Sequence, residues 1–276
     1  MDYKDIFQIN VQEILNAKAP KQAKKIPRFL VRWLANLICQ DRINEFLRYN
    51  GGDTGVDLMN NAMSFFRFSL DIAGEENIPD FSRKCILVSN HPLGGVDGIC
   101  LSSFLGTRYN QHIKYVVNDI LYFIKPLQPI FVPINKHGAQ NKNAAQLLNE
   151  ALASDSQIIT FPAGLNSRKN HGIIRDPEWK KMFIVKAVEN QRDVVPVFFD
   201  ATNSNTFYNV AIWRKRLKIK FNIEMLFLPK EMIKKENSTM RICFGKPIPW
   251  QTFDNSKTPQ QWAEWVKQIV YNMSRQ

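Results

Sequence analysis

Cys85-Ile86-Leu87-Val88-Ser89-Asn90-His91-Pro92-Leu93-Gly94-Gly95-Val96-Asp97-Gly98 runs from an unbroken apolar segment into a glycine-rich turn. The apolar residues read as a buried strand, so a His and an Asp sit in a tight turn at a strand end. There a rigid sheet presents side chains to a substrate. The short separation lets the carboxylate fold back onto one imidazole nitrogen and fix the tautomer. The other nitrogen is then free to take a proton from a hydroxyl. The plainer alternative is that His91 caps a turn and Asp97 opens the next helix, since an isolated pair of this kind recurs by chance.

Outward from this turn, strands and helices alternate. Strands are expected at residues 85–89, 114–117, 130–134, 157–161 and 193–200, with helices at 98–104, 120–124, 141–153 and 177–189. That pattern predicts an α/β fold: a central mostly parallel or mixed sheet flanked by helices. Later strands are expected at 209–212, 219–228 and 239–244, and a last helix at 259–273. Pro196 inside a strand points to an edge or a bulge.

The N-terminal part has a different texture. A short helix is expected at 3–17, then a basic linker at 21–25. An amphipathic helix follows at 28–49, where Phe29, Leu30, Trp33, Leu34, Leu37 and Ile38 recur at helical spacing between arginines. A second helix is expected at 56–73. The division that results is 1–75 as an N-terminal helical extension and 76–276 as the α/β domain. Such stripes ordinarily mean core packing. A basic helix bearing Trp and Phe beside a lysine cluster also fits a helix lying in the membrane interface.

Composition narrows the classes. The chain has 276 residues and a net charge of +12, which suits a polyanion: nucleic acid, an anionic bilayer or an acidic carrier protein. Cys39, Cys85, Cys100 and Cys243 have no paired spacing, which argues against a zinc site or a disulfide frame and for a reducing compartment. Three of them lie in apolar runs and read as small buried hydrophobes. His112, His137 and His171 lack metal-ligand spacing, so no metal is expected. The residues from Met1 have no signal-peptide character, and no stretch is long and apolar enough to span a bilayer. A Gly-x-Ser-x-Gly elbow, a Walker loop and a dinucleotide glycine fingerprint are all missing. A basic membrane- or nucleic-acid-binding module without catalysis remains the alternative, although no nucleic-acid motif is recognisable.

Three further segments change the weight of the His-Asp pair. They are Pro129-Ile130-Phe131-Val132-Pro133-Ile134-Asn135-Lys136, then Ile158-Ile159-Thr160-Phe161-Pro162-Ala163-Gly164-Leu165-Asn166-Ser167-Arg168, then Val194-Val195-Pro196-Val197-Phe198-Phe199. With the first block, and in this order, they resemble the glycerolipid acyltransferase family typified by 1-acylglycerol-3-phosphate acyltransferase. The Pro-x-Gly-x-x-Asp-Gly form is similar to its bacterial haemolysin-like or lyso-ornithine-lipid acyltransferase-like branch. The resemblance covers about residues 80–200. Two departures stand out. Five residues separate His91 from Asp97 where the family has four, and Ala163 replaces the Glu of the family's Phe-Pro-Glu-Gly block.

The resemblance implies an O-acyltransferase of lipid biosynthesis and phospholipid metabolism. It moves a fatty acyl group from an acyl carrier protein or coenzyme A thioester to the hydroxyl of a lyso-lipid. His91 would be the general base and Asp97 its orienting carboxylate, with no metal and no bound cofactor. Asn90, Gly94 and Gly95 are candidates for turn support or for an oxyanion hole. Lys136, Phe161, Pro162, Ala163, Gly164 and Arg168 are candidates for binding the acceptor's anion. Lysophosphatidic acid is the family's default acceptor. An amino-acid lyso-lipid of glycine or ornithine fits the uncharged Ala163 block. The expected setting is cytoplasmic, peripheral at the inner face of the cell membrane, with the anionic bilayer and acyl carrier protein as partners and no nucleic acid.

Overall fold

A computed structural model of the protein describes residues 8–18, 25–118, 121–134 and 142–275. Among the described residues four helices come first: α1 (Val11–Lys18), α2 (Arg28–Leu37), α3 (Gln40–Asn50) and α4 (Gly55–Phe66). Asn10 starts α1, its side-chain oxygen accepting from the Gln12 and Glu13 N–H groups at 3.0 and 3.3 Å. The residues expected before it, up to residue 7, lie outside the described chain. The long helix expected over 28–49 is two helices, because Cys39 takes a left-handed conformation (φ 51°) between them. The helix expected over 56–73 likewise stops at Phe66, where Arg67 is left-handed (φ 51°). Neither break sits on a glycine, so composition gives no warning of it.

After Arg67 the chain becomes strand β1 (Ser69–Ala73). There follow β2 (Cys85–Ser89), α5 (Gly95–Arg108), β3 (Ile113–Asn118), β4 (Phe131–Ile134), α6 (Lys142–Ala153) and β5 (Gln157–Thr160). A small hairpin, β6 (Arg168–Asn170) with β7 (Ile173–Arg175), interrupts the alternation before α7 (Met182–Glu189) and β8 (Asp193–Asp200). The chain ends with α8 (Asn205–Arg216), α9 (Leu228–Ile233), β9 (Thr239–Phe244) and α10 (Pro259–Asn272). The strand expected at 209–212 is therefore corrected to helix, and that expected at 219–228 to a loop at 219–222 followed by helical turns. Val210-Ala211-Ile212 is too short a run to fix its period, and Phe207, Tyr208 and Ala211 bury one helical face. The helix expected at 177–189 starts only at Met182, and of the short helix expected at 120–124 the described residues show a single helical turn at 121–123.

The main sheet has seven strands in the order β1-β9-β8-β2-β5-β3-β4, parallel throughout except for the β8–β9 pair. This is the mixed, mostly parallel sheet the alternation predicts. The division expected at residues 75/76 falls beyond β1, so the N-terminal segment supplies one edge strand. Pro196 is not on an edge: β8 lies between β9 and β2. Its carbonyl accepts from Gly245 N–H, just beyond the last β9 ladder pair at Val197 and Phe244.

Helices cover both faces. On one, Leu87, Val195 and Phe199 pack with Cys100, Leu101 and Leu105 of α5 and with Phe66 of α4. Gly106 of α5 permits that contact, since an added side-chain carbon would meet Val56 at 2.6 Å. On the other, Ile86, Val88 and Val194 pack with Phe183 and Ile184 of α7 and Val266 of α10. Every residue of β2 is buried, and the Ile86, Leu87 and Val88 side chains each contribute about 1.5–3 kcal/mol. Cys85 and Cys100 are free buried thiols and Cys243 is half-buried; burial pushes the Cys85 thiol up to about 12. Buried Arg192 donates to the Leu152, Ser154 and Ser156 carbonyls and so closes the C-terminus of α6.

The topology places the site. Strand β2 leads through α5 on one face to β3, whereas its neighbour β5 leads through α7 on the other face to β8. Two adjacent parallel strands whose chains depart to opposite faces open a crevice at their C-terminal ends.

Candidate active site

His91 stands at the mouth of that crevice, just past the end of β2. Its Nδ1 lies 2.8 Å from Asp97 Oδ2. The Asp97 side chain is fully buried, whereas that of His91 is 18% exposed. Asp97 occupies the first turn of α5, and its carboxylate also accepts from Leu93 N–H at 3.0 Å and Gly94 N–H at 3.3 Å. An acid in a helix's first turn that reaches back to preceding N–H groups caps that helix. The capping role and the orienting role thus belong to the same carboxylate. Burial pushes the Asp97 carboxyl up, while the His91 ring and the two N–H groups pull it down. With Asp97 ionised, its carboxylate only accepts, an arrangement that puts the proton on Nδ1 and leaves Nε2 as the free nitrogen. The ring is held from the side by Phe161, stacked at 4.1 Å with 22° between planes.

The backbone of the turn is braced on all sides. The Asn90 side chain donates to Phe199 O at 3.0 Å and accepts from Phe199 N–H at 2.7 Å. It extends the β2–β8 pairing by one amide. The His91 N–H donates to the Asp176 carboxylate at 3.2 Å, which also accepts from Ser167 Oγ at 2.6 Å and Trp179 Nε1 at 3.0 Å. The Asp176 N–H in turn donates to the Tyr271 hydroxyl at 2.7 Å. His91 O accepts from Ser167 N–H, and Pro92 O from Asn203 Nδ2. Sequence reasoning missed Asp176, Tyr271 and Asn203, because no local spacing ties them to residue 91.

The remaining expected residues divide. Gly94 N–H is turned onto Asp97, whereas Gly95, in the first turn of α5, is exposed. Gly94 itself is required: at φ +84° a side-chain carbon would also meet Asn166 Nδ2 at 2.7 Å. Phe161–Gly164 is a closed turn, with Gly164 N–H donating to Phe161 O at 2.9 Å. Gly164 is exposed and Phe161 is half-buried against the α5-side core, whereas Pro162 and Ala163 are buried, Ala163 in the α7-side core. Arg168 is corrected. Its guanidinium is buried and pairs with Glu224 at 3.0 Å while donating to the Asn166 and Ser167 carbonyls, so it is not open to an acceptor. Lys136 lies outside the described residues. Among the described residues no group of three His, Cys, Asp or Glu is placed to hold a metal ion, and no helix is long and apolar enough to cross a membrane.

Comparison with known proteins gives the family of the chain. A family model described as Acyltransferase matches residues 13–275. The lyso-glycine lipid O-acyltransferase of Bacteroides thetaiotaomicron is 50% identical over 97% of this chain and 98% of its own. The protein of the same description from Phocaeicola vulgatus is 48% identical over 97% of this chain and 96% of its own. A solved structure, the 1-acyl-sn-glycerophosphate (LPA) acyltransferase PlsC from Thermotoga maritima, is 17% identical, with a TM-score of 0.47 and 80% of each chain covered. The chain is an enzyme rather than the non-catalytic basic module its charge also allowed, and it belongs to the acyltransferase family.

Proposed function

We propose that this acyltransferase moves a fatty acyl group from an acyl carrier protein or coenzyme A thioester to the hydroxyl of a glycine lyso-lipid, an N-(3-hydroxyacyl)glycine. The His91–Asp97 pair, 2.8 Å apart at the crevice mouth, carries the catalytic half of this reading. The glycine acceptor is supported by the two relatives of about half identity, both described as lyso-glycine lipid O-acyltransferases.

In this scheme Nε2 of His91 takes the acceptor's hydroxyl proton as its oxygen attacks the thioester carbonyl. The C–O bond forms, the C–S bond breaks, and the imidazolium returns the proton to the departing thiolate. Asp97 keeps Nδ1–H in place and stabilises the imidazolium. Gly95 N–H, at the positive end of α5, is the candidate for the developing oxyanion. A positioned base of this kind is worth about 10²–10⁴ in rate. Phe161 and Gly164 border the acceptor. The buried, uncharged Ala163 offers no side-chain charge to a phosphate, in keeping with a carboxylate head group. The working place is the inner face of the cell membrane, with the N-terminal helices in the interface.

The test offers N-(3-hydroxyacyl)glycine, its ornithine counterpart and lysophosphatidic acid in detergent, each with both donor types. Transfer to the glycine lipid, at least about 100-fold lower in His91→Ala, is the expected result. Preference for lysophosphatidic acid would sink the acceptor assignment. Unchanged turnover in His91→Ala would sink the mechanism.

A further inference from the structure

The end of α8 projects from the molecule as a shaped arm. Lys218, left-handed at φ 55°, closes the helix: its N–H donates to Lys215 O at 3.1 Å, and Ile219 N–H donates to Arg214 O at 3.0 Å. This paired closure fixes the turn without a glycine. The chain then returns through a helical turn at Ile223–Phe227 to α9. Along this arm Trp213, Leu217 and Phe221 are 58%, 66% and 63% exposed, and Ile219 and Met225 are exposed beside them. Lys215, Arg216, Lys218 and Lys220 stand exposed among these side chains. Between Asp200 and Glu224 the sequence has no acid, and Glu224 is buried.

The exposure is not that of a loose end. Glu224 holds Arg214 Nε at 2.8 Å and Arg168 at 3.0 Å, which pins the arm to the first residue of the β6–β7 hairpin beside the catalytic turn. At its root, Leu228 Cδ1 lies 2.9 Å from where a Gly94 side-chain carbon would sit. On the other flank of α9, Arg42 of α3 pairs with Glu236 at 3.0 Å. Phe29 and Trp33 of α2 are exposed as well. An apolar surface edged with cations therefore adjoins the helix that touches the His91 turn.

We propose that residues 213–228 form a second bilayer-docking surface, specific for membranes that carry anionic lipid, and that it sets the crevice mouth against the lipid holding the acceptor. The proposal rests on the lyso-lipid reading for its purpose but not for its physics. A contiguous apolar patch of large side chains marks an interaction surface. Interleaved lysines and arginines complement anionic head groups while Trp, Leu and Phe enter the acyl boundary. An acidic carrier protein would match the charge, but it would leave the projecting Leu217 and Phe221 without an apolar medium.

Sedimentation of the full-length protein with vesicles tests this, with no donor or acceptor present, so the outcome is independent of turnover. One set of vesicles mixes phosphatidylglycerol with phosphatidylcholine and the other is phosphatidylcholine alone. Leu217→Ser/Phe221→Ser is expected to weaken partition at least about tenfold. Lys215→Gln/Lys218→Gln/Lys220→Gln is expected to weaken it about fivefold per cation on the anionic vesicles only. Unchanged melting verifies that these exposed substitutions leave the fold intact. Wild-type partition in both variants, with loss only in Phe29→Ser/Trp33→Ser, would overturn the proposal and leave α2 as the docking face. Intact vesicle binding with lost capture of acyl carrier protein would also overturn it, in favour of a carrier site.

Discussion

Two buried carboxylates flank the catalytic turn and do opposite work. Asp97 and Glu224 are each fully buried, and each holds a basic side chain, at 2.8 Å to His91 and 3.0 Å to Arg168. By distance and burial the two pairs look alike. They differ in what is left over. His91 keeps a second nitrogen in a partly exposed ring, so its pair can take up and release a proton. Arg168 spends its donors on Glu224 and on two carbonyls, and Glu224 is also claimed by Arg214, so that cluster only ties segments together. A buried charge near a site becomes chemically useful through its unspent valence, not through proximity.

The contrast can be broken most sharply at Asp97. Asp97→Asn keeps the size but no longer enforces the Nδ1–H tautomer. Its kcat is expected to fall by about 10²–10⁴ with little change in KM or melting. A loss of stability with normal kcat would make the pair structural. The opposite pattern is expected at Glu224. Glu224→Gln leaves Arg168 and Arg214 uncompensated and is expected to cost about 3–5 kcal/mol in urea unfolding, while each folded molecule keeps its turnover. A smaller effect is expected at Asn90, which belongs to the catalytic block by sequence but to the β2–β8 brace by structure. Asn90→Ala orphans the Phe199 N–H and C=O and is expected to cost about 1–3 kcal/mol. A kcat deficit larger than the stability deficit would move Asn90 to the side of Asp97.

The central sheet was legible because its strands are short apolar runs set off by turn residues, and β2, β5 and β8 fall where those runs lie. The edge strand β1 was hidden, since Phe68 and Leu70 continue the helical spacing of α4 and the break at Arg67 comes from a residue with no preference for it. The His91–Asp97 pair could be read because its members are six residues apart. The Arg168–Glu224 pair could not, being 56 residues apart. Charge alone made Arg168 look available. Asp176 was invisible for the same reason: its link to His91 spans 85 residues.

The hydroxyl of Tyr271 has a consequence in time. It accepts the Asp176 N–H, and Asp176 in turn holds the backbone of His91, so the last helix completes a brace whose other members lie far upstream. During synthesis the chain emerges from its N-terminus at about 5–20 residues per second. Asp97, the Phe161 turn and Asp176 all precede Tyr271. A nascent chain thus carries its base and its carboxylate well before it carries Tyr271, the last member in sequence of the brace beneath their turn.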